Sequence, residues 1–215
     1  MAYSPAPLRS SRPAPLVLRY FAIYKPYGML SQFSREAPEQ RTLADLDFDF
    51  PKDVYPIGRL DADSEGLLLL TNDKSWNARL LDPRQEHPRV YWAQVEGEPD
   101  VAALEQLRRG VLLQIDGKPF TTRPVAAEIL PAVPDLPERQ PPVRFRKTVP
   151  TAWLELALIE GKNRQVRRMC AAVGFPVLRL LRVRIGQLTL TDMAPGEVRE
   201  LTVEQLRAGL EKSKG

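Results

Sequence analysis

Apolar residues along this chain occur mostly in short runs and alternations, a pattern typical of β-strands. The clearest is a run of four leucines at residues 67–70, directly after a polar, acidic turn; it predicts a buried strand over 67–71. Because strand signals do not alternate regularly with helices, the pattern favours an α+β fold over a parallel βαβ sheet. Further strands are predicted at 17–24, 54–57, 89–96, 111–115, 126–130, 152–160 and 178–190.

Three helices are predicted. Ser75 is a suitable N-cap for a short helix that ends at residue 81, before Pro83. Asp100 is a suitable N-cap for a second helix, and Gly110 follows its last turn. The third helix, residues 164–173, has apolar positions at i, i+3, i+4 and i+7, namely Val166, Met169, Cys170 and Val173. Three arginines project away from this stripe: Arg164, Arg167 and Arg168.

Composition divides the chain into one folded domain and two tails. Residues 1–17 are basic and proline-rich, and we expect a disordered tail there. Residues 18–205 form the folded domain, and residues 206–215 form a C-terminal tail. Five prolines lie in residues 131–142, which predicts a stiff loop without regular structure.

Charge is distributed unevenly along the chain, whose formal net charge is +4. Residues 139–184 contain eleven Lys or Arg and two acids, a net of +9, so the rest of the chain carries −5. Such asymmetry is typical of proteins that bind a polyanion. The one cysteine, Cys170, excludes an intramolecular disulfide, and with the one histidine it cannot form a zinc site. No apolar run has the length of a membrane span, and we expect a cytoplasmic protein.

The acidic turn before the leucine run holds the candidate chemistry, because a rigid sheet that begins there can support a reacting group. Acids occupy alternate positions: Asp61, Asp63 and Glu65. The spacing is that of an EF-hand calcium loop, but Asn72 stands where the bidentate Glu is required and a strand replaces the later ligands. A glycosidase pair of carboxylates is a second alternative, but sugar-binding aromatic residues do not cluster here.

The third alternative is a single carboxylate that acts on a nucleic acid. An aspartate that stays ionised while partly desolvated needs a close arginine, which lowers its pKa by about 1–3 units. Asp61 and Arg167 are the candidates for such a pair.

Four blocks of sequence occur in a recognisable order. They are Tyr24-Lys25-Pro26, GRLDADSEGLLLLTND from Gly58, RVYWAQVEG from Arg89, and EGKNRQVRRMCAAVGFPVLRLLR from Glu160. Over about residues 18–201 the chain resembles the ribosomal pseudouridine synthases that include small-subunit enzyme A and large-subunit enzymes B, E and F. Most relatives carry an additional N-terminal RNA-binding domain, for which the Lys-Pro block at residue 25 leaves no room. This absence and the proline-rich loop make the E-type large-subunit members the most similar.

The resemblance implies a fold, a reaction and partners. The fold is a mixed, mainly antiparallel sheet flanked by helices, in two subdomains with the active-site cleft between them. The reaction isomerises a specific uridine of large-subunit ribosomal RNA to pseudouridine after base flipping. It oxidises nothing and transfers no phosphate, so it requires neither cofactor nor metal. The expected partner is large-subunit ribosomal RNA or a pre-ribosomal particle, bound by a monomer.

The resemblance also assigns roles to residues. Asp61 matches the catalytic aspartate, Tyr91 the tyrosine that packs on the target base, and Arg167 the basic residue that pairs with the aspartate. Arg59 matches the arginine that helps to displace the base. The other expected RNA contacts are Lys25, Lys162, Arg164 and Arg168, with a structural role as the alternative for Lys25. Asp63 and Glu65 are expected to be turn residues, and His87 an exposed loop residue or at most an RNA contact.

Two other functions fit the same blocks. One is a non-catalytic RNA-binding or ribosome-assembly factor on the same fold, because fold alone does not fix function. The other is a synthase that acts on small-subunit ribosomal RNA. The presence of both Asp61 and Tyr91 favours an enzyme over a binding factor.

Overall fold

The structure, a computed structural model, describes residues 17–81, 87–143 and 148–210. The predicted N-terminal tail up to residue 16, Pro83 and residues 211–215 lie outside the described residues.

Thirteen strands and four helices are present in the described part of the chain. The strands are β1 (Tyr20–Lys25), β2 (Met29–Leu30), β3 (Arg41–Thr42), β4 (Tyr55–Pro56), β5 (Glu65–Thr71), β6 (Arg89–Glu96), β7 (Leu112–Ile115), β8 (Lys118–Thr121), β9 (Ala126–Ile129), β10 (Thr151–Leu158), β11 (Val177–Ile185), β12 (Leu188–Thr189) and β13 (Val198–Leu201). The helices are α1 (Lys74–Leu81), α2 (Val101–Arg109), α3 (Gln165–Ala172) and α4 (Val203–Leu210).

Nine of the described strands form one mixed, mainly antiparallel sheet in the order β13-β1-β5-β11-β6-β10-β9, with β4 paired to β5 and β12 to β11. The single parallel contact within it, β5 with β11, joins the two halves of the sheet. Gly66 makes this contact possible, because its φ is +108° and a Cβ there would collide with the Arg182 carbonyl oxygen. The predicted α+β class is therefore confirmed.

The leucine run of β5 is buried on both faces of the sheet. Leu67 and Leu69 pack in one apolar cluster with Tyr24, whereas Leu68 and Leu70 pack in another on the opposite face. A third cluster lies in the other half of the sheet and includes the α3 stripe residues Val166, Met169 and Cys170. Burial on both faces explains why β5 is a continuous apolar run rather than an alternating one.

Several predicted elements need correction. Residues 178–190 form two strands rather than one, since the chain turns tightly at Gly186. Asp73, rather than Ser75, caps α1, because its Oδ1 accepts the Ser75 N–H at 3.0 Å. The predicted C-terminal tail is wrong at its start, because residues 206–210 belong to α4 and bury Leu206 and Leu210.

Among the described residues, none of the helices is long and apolar enough to cross a membrane.

Candidate active site

A cleft of about 650 Å³ opens between the turn before β5, strand β6 and the segment that leads from β10 into α3. Both Asp61 and Tyr91 line it. The charged groups around them are mostly basic: Arg59, Arg89, Arg123, Lys162, Arg164 and Arg182, against the acids Asp61 and Glu160. A cleft with this charge attracts a polyanion.

The backbone around Asp61 is held from several directions. Ser31 Oγ donates to the Leu60 carbonyl at 2.8 Å and accepts the Leu60 N–H at 3.0 Å. The Gly28 N–H donates to the Ala62 carbonyl at 2.7 Å, and the Asp61 carbonyl accepts the Ser64 N–H at 3.0 Å. These bonds fix both neighbours of Asp61, so its carboxylate has a defined position in the cleft.

Lys25 contacts the same turn from inside the protein, where its Nζ lies 3.5 Å from the Ala62 carbonyl oxygen. The residue is fully buried, and its Nζ donates to the Met29 carbonyl at 2.7 Å and the Pro26 carbonyl at 3.0 Å. Burial lowers the pKa of Lys25 to about 7. The expected RNA contact of Lys25 is therefore wrong.

Arg164 lies near the Asp61 carboxylate. Its Nη1 lies 3.6 Å from Asp61 Oδ2, and the Asp61 side chain is about one-third exposed, at 35%. The same guanidinium forms a fork with Asp63, with Nη1 to Oδ1 at 2.9 Å and Nη2 to Oδ2 at 2.8 Å. Such bidentate pairs have a fixed geometry. Arg164 therefore lies between the two carboxylates.

Arg167 pairs with Asp63 rather than Asp61. Its Nη2 donates to the Asp63 carbonyl at 2.6 Å, and its Nε lies 3.4 Å from Asp63 Oδ2. Burial tends to raise the pKa of Asp63, but the hydrogen bonds from Arg164 and the charge of Arg167 outweigh it and hold this pKa below its usual value. The expected direct pair of Arg167 with Asp61 is not formed, and Arg167 does not line the cleft.

Tyr91 reaches the cleft from β6, where it pairs with Leu156 of β10 on one side and Arg182 of β11 on the other. Arg182 is buried, and its Nε donates to the Leu67 carbonyl at 2.8 Å. Among the described residues, its Nη2 has no hydrogen-bond partner, although the residue lines the cleft. Arg89 donates to the Leu80 carbonyl at 2.9 Å, and burial lowers its pKa.

Two of the expected RNA contacts besides Arg164 line the cleft. Arg59 is exposed there, and Lys162 places its Nζ 5.1 Å from the centroid of the Phe120 ring. Arg168 is engaged elsewhere, since it donates to the Gln114 carbonyl at 2.7 Å and to Asn163 Oδ1 at 2.9 Å. Arg168 therefore connects α3 to the β7–β8 hairpin. These bonds engage its guanidinium within the protein, so its position is explained without an RNA contact.

Sequence reasoning misplaced two residues near the cleft. Glu65 is not a turn residue: it begins β5, is 2% exposed and forms a bidentate pair with Arg179, both distances being 2.9 Å. His87 lines the cleft and is 9% exposed, so the expected exposed position is wrong.

Two further polar residues, Glu160 and Gln165, were not predicted. Gln165 donates to Glu160 Oε1 at 2.5 Å and accepts the Lys162 N–H, which shapes the loop before α3. The residue types Glu and Gln at this spacing carry no signal that distinguishes them from surface residues.

The acids of the turn do not form a calcium loop. Asp63 and Glu65 each face arginines, as described above. Among residues 17–81, 87–143 and 148–210, no group of three or more His, Cys, Asp or Glu could hold a metal ion.

Comparison with known proteins identifies the family. Residues 19–172 match the family described as RNA pseudouridylate synthase. The chain belongs to this family. The Ribosomal large subunit pseudouridine synthase E of Xanthomonas campestris pv. campestris is 56% identical over 176 residues, or 81% of this chain and 91% of that protein. Its namesake from Vibrio vulnificus is 52% identical over 179 residues, or 83% of this chain and 73% of that protein.

A solved structure described as a pseudouridylate synthase has the same fold. It superposes with a TM-score of 0.70 at 28% identity, covering 88% of this chain and 74% of that one. The resemblance inferred from the four sequence blocks is therefore confirmed, and so is the pseudouridine synthase fold. The chain is therefore an enzyme, and it belongs to a family that isomerises uridine in RNA.

Proposed function

We propose that this synthase isomerises a specific uridine of large-subunit ribosomal RNA, with Asp61 as the reacting carboxylate. The observation that carries the proposal is the position of Asp61: on a fixed turn, in a basic cleft that Tyr91 also lines. Relatives more than half identical to this chain are named for the large ribosomal subunit, which supports the choice of substrate.

The chemistry requires one bond to break and one to form at the same sugar carbon. The N1–C1′ bond of the uridine breaks and its electron pair stays on N1, the base turns, and C5 bonds to C1′. C5 then loses its proton and N1 gains one, so that the product is an isomer of the substrate. Asp61 acts either as a nucleophile at C1′ or by stabilising a step that forms a glycal. Tyr91 packs on the base and takes the C5 proton. The oxidation state of the uridine does not change.

Access to C1′ requires the target nucleotide to leave its stack. Extruding a base costs a few kcal/mol, which protein contacts to the flipped base and the phosphates offset. Arg59 is exposed at the cleft and fits the role of occupying the space the base leaves. Lys162 is the other exposed cation we assign to a phosphate contact, whereas both terminal nitrogens of Arg164 are engaged by Asp63.

The partner is large-subunit ribosomal RNA, free or within a pre-ribosomal particle. We propose that a monomer binds it, in the cytoplasm where ribosomes are assembled.

Tritium release from uridine C5 tests the proposal. Large-subunit and small-subunit ribosomal RNA, each labelled at C5, are incubated separately with the wild-type chain. Release from large-subunit RNA alone is the expected result. Release from small-subunit RNA alone would contradict the proposal that large-subunit RNA is the substrate. Binding of both RNAs with no release from either would favour a non-catalytic binding or assembly factor.

A further inference from the structure

Asp63 stands two residues after Asp61 and holds the guanidinium that both carboxylates attract. Arg164 donates one hydrogen bond to each Asp63 oxygen, at 2.9 and 2.8 Å. Its distance to Asp61 Oδ2 is 3.6 Å, within range of charge attraction but too long for a hydrogen bond. Without Asp63, a shift of less than about 1 Å would bring Arg164 into hydrogen-bonding contact with Asp61.

The backbone of Arg164 is fixed as well. Arg164 is the N-cap of α3 and adopts the left-handed conformation, with φ 53° and ψ 31°. This conformation is uncommon for a residue with a Cβ, so the surroundings must hold it. Gln165 helps to do so, through its bonds to Glu160 and to the Lys162 N–H. The placement of the guanidinium therefore depends on its side-chain partners more than on backbone freedom.

We propose that Asp63 is a positioning residue for the isomerisation: by occupying both terminal nitrogens of Arg164, it leaves an Asp61 oxygen available to the reacting C1′. At 3.6 Å Arg164 makes no hydrogen bond to Asp61 Oδ2. A full bidentate pair with Arg164 would instead tie up the carboxylate oxygens and make Asp61 a weaker nucleophile. The inference rests on the proposed function, since it requires Asp61 to be the reacting group.

The side chain of Asp63 can be removed without removing the main contact of Arg167. The short bond of Arg167, 2.6 Å, goes to the Asp63 backbone carbonyl, which any residue at this position provides. Asp63 is also not among the described residues with positive φ, so Ala fits the turn. Asp63→Ala therefore acts mainly on Arg164.

The test is a double-mutant cycle on the chemical step. Single-turnover rates with saturating enzyme are compared for wild type, Asp63→Ala, Arg164→Met and the double variant. We expect Asp63→Ala to slow the wild type roughly tenfold, the size of a typical coupling between contacting residues. In the Arg164→Met background the same change should alter the rate by less than about twofold, because no arginine is left to trap Asp61.

The enzyme-concentration dependence of the rate provides a second readout. In Asp63→Ala the rate at saturating enzyme should fall, whereas the enzyme concentration that gives half of this rate should stay within about twofold of wild type. In the double variant neither quantity should differ from that of Arg164→Met by more than about twofold. A residue that only contacts RNA would change the half-saturating concentration instead.

Each other outcome overturns the inference. Equal slowing in both backgrounds, or a change only in the half-saturating enzyme concentration, would make Asp63 a structural or RNA-binding residue. If thermal melting shows that Asp63→Ala is unfolded, Asp63→Asn replaces it, with the same expected dependence on Arg164. Absence of pseudouridine formation by the wild type would overturn the proposed function itself, and the inference with it, which distinguishes the two failures.

Discussion

Lys25 is a lysine that the fold buries completely next to the turn that carries Asp61. Its Nζ bonds to the carbonyl groups of Pro26 and Met29, which follow it in the chain. Burial lowers its pKa to about 7, against the opposing influence of the acids Glu65, Asp63 and Asp61. In the unfolded chain the pKa of the same group lies near the ordinary lysine value of 10.5. Folding therefore changes the proton affinity of Lys25.

The stability of the protein should reflect this difference. Between pH 7 and 10.5 the unfolded chain binds a proton at Lys25 that the folded chain does not, so the free energy of unfolding rises with pH. From pH 7 to pH 9, the wild type should gain about 2 kcal/mol relative to Lys25→Met. Urea denaturation at the two pH values measures the gain.

The exposed residue Lys118 provides the matched control. Lys118→Met should keep the pH dependence of the wild type. If the free energies of unfolding of wild type and Lys25→Met instead change in parallel from pH 7 to pH 9, burial does not lower the pKa of Lys25.

Residue identity alone could not separate such buried charges from exposed ones. The sequence placed Asp61, Tyr91 and Arg59 in one site, and all three line the cleft. It also gave Lys25 an RNA contact, because the sequence does not show whether a basic side chain points into the protein or out of it. Only the three-dimensional packing, with every residue of β1 buried, distinguishes the two cases.

The central strands β5 and β11 are joined by a buried ion pair as well as by backbone. Glu65 at the start of β5 and Arg179 of β11 are 2% and 7% exposed. Arg179 Nη2 also donates to the Pro137 carbonyl at 2.9 Å, so the pair fastens the proline-rich loop to the sheet. Two elements far apart in sequence are thus connected through one guanidinium.

Removing one partner of this pair should be strongly destabilising, because the other charge is left buried. We expect Arg179→Met to lower the free energy of unfolding by about 3–5 kcal/mol. The matched control is Arg19→Met, since Arg19 pairs with Glu200 at 2.7 Å with both side chains more than one-third exposed. Arg19→Met should lower the free energy of unfolding by no more than about 1 kcal/mol. Urea denaturation of both variants measures the two losses, and equal losses would contradict the role of burial.

Local signals predicted the elements that carry strong patterns. The strand at residues 89–96 and the helix after Asp100 appear as predicted, with Asp100 accepting the Ala103 N–H at 2.8 Å. Two of the missed elements, β13 and α4, depend on distant partners: β13 pairs with β1, and Leu206 of α4 packs in the same cluster as Tyr20. Short segments stabilised by such contacts carry little signal of their own.

In the folded molecule, fewer basic side chains of segment 139–184 are available at the surface than the composition of the segment indicated. Arg179 and Arg182 of this segment are buried, and Arg168 bonds within the protein. The cations that line the cleft come instead from several parts of the chain, including Arg59 and Arg123 as well as Lys162 and Arg164. The sequence predicted the sign of the charge, but the fold determines which of these groups can meet a polyanion.

The salt dependence of RNA binding tests this distribution. A phosphate contact releases counterions, so removing one such contact lowers the slope of log K against log salt by about 1. Arg59→Gln should show this decrease, whereas Arg207→Gln, an exposed position outside the cleft, should not. Filter binding of ribosomal RNA at several salt concentrations measures the slopes. Equal slopes for the two variants would place the RNA elsewhere on the surface.

Asp61 is proposed to carry the isomerisation and not the binding of RNA. Tritium release and RNA affinity should be measured for wild type, Asp61→Asn and the matched control Asp47→Asn, which makes the same change at an exposed position outside the cleft. We predict no release by Asp61→Asn, RNA affinity within a few-fold of wild type, and full release by Asp47→Asn, because Asn keeps the shape of the site but not its charge. Retained release by Asp61→Asn would show that another group carries the reaction.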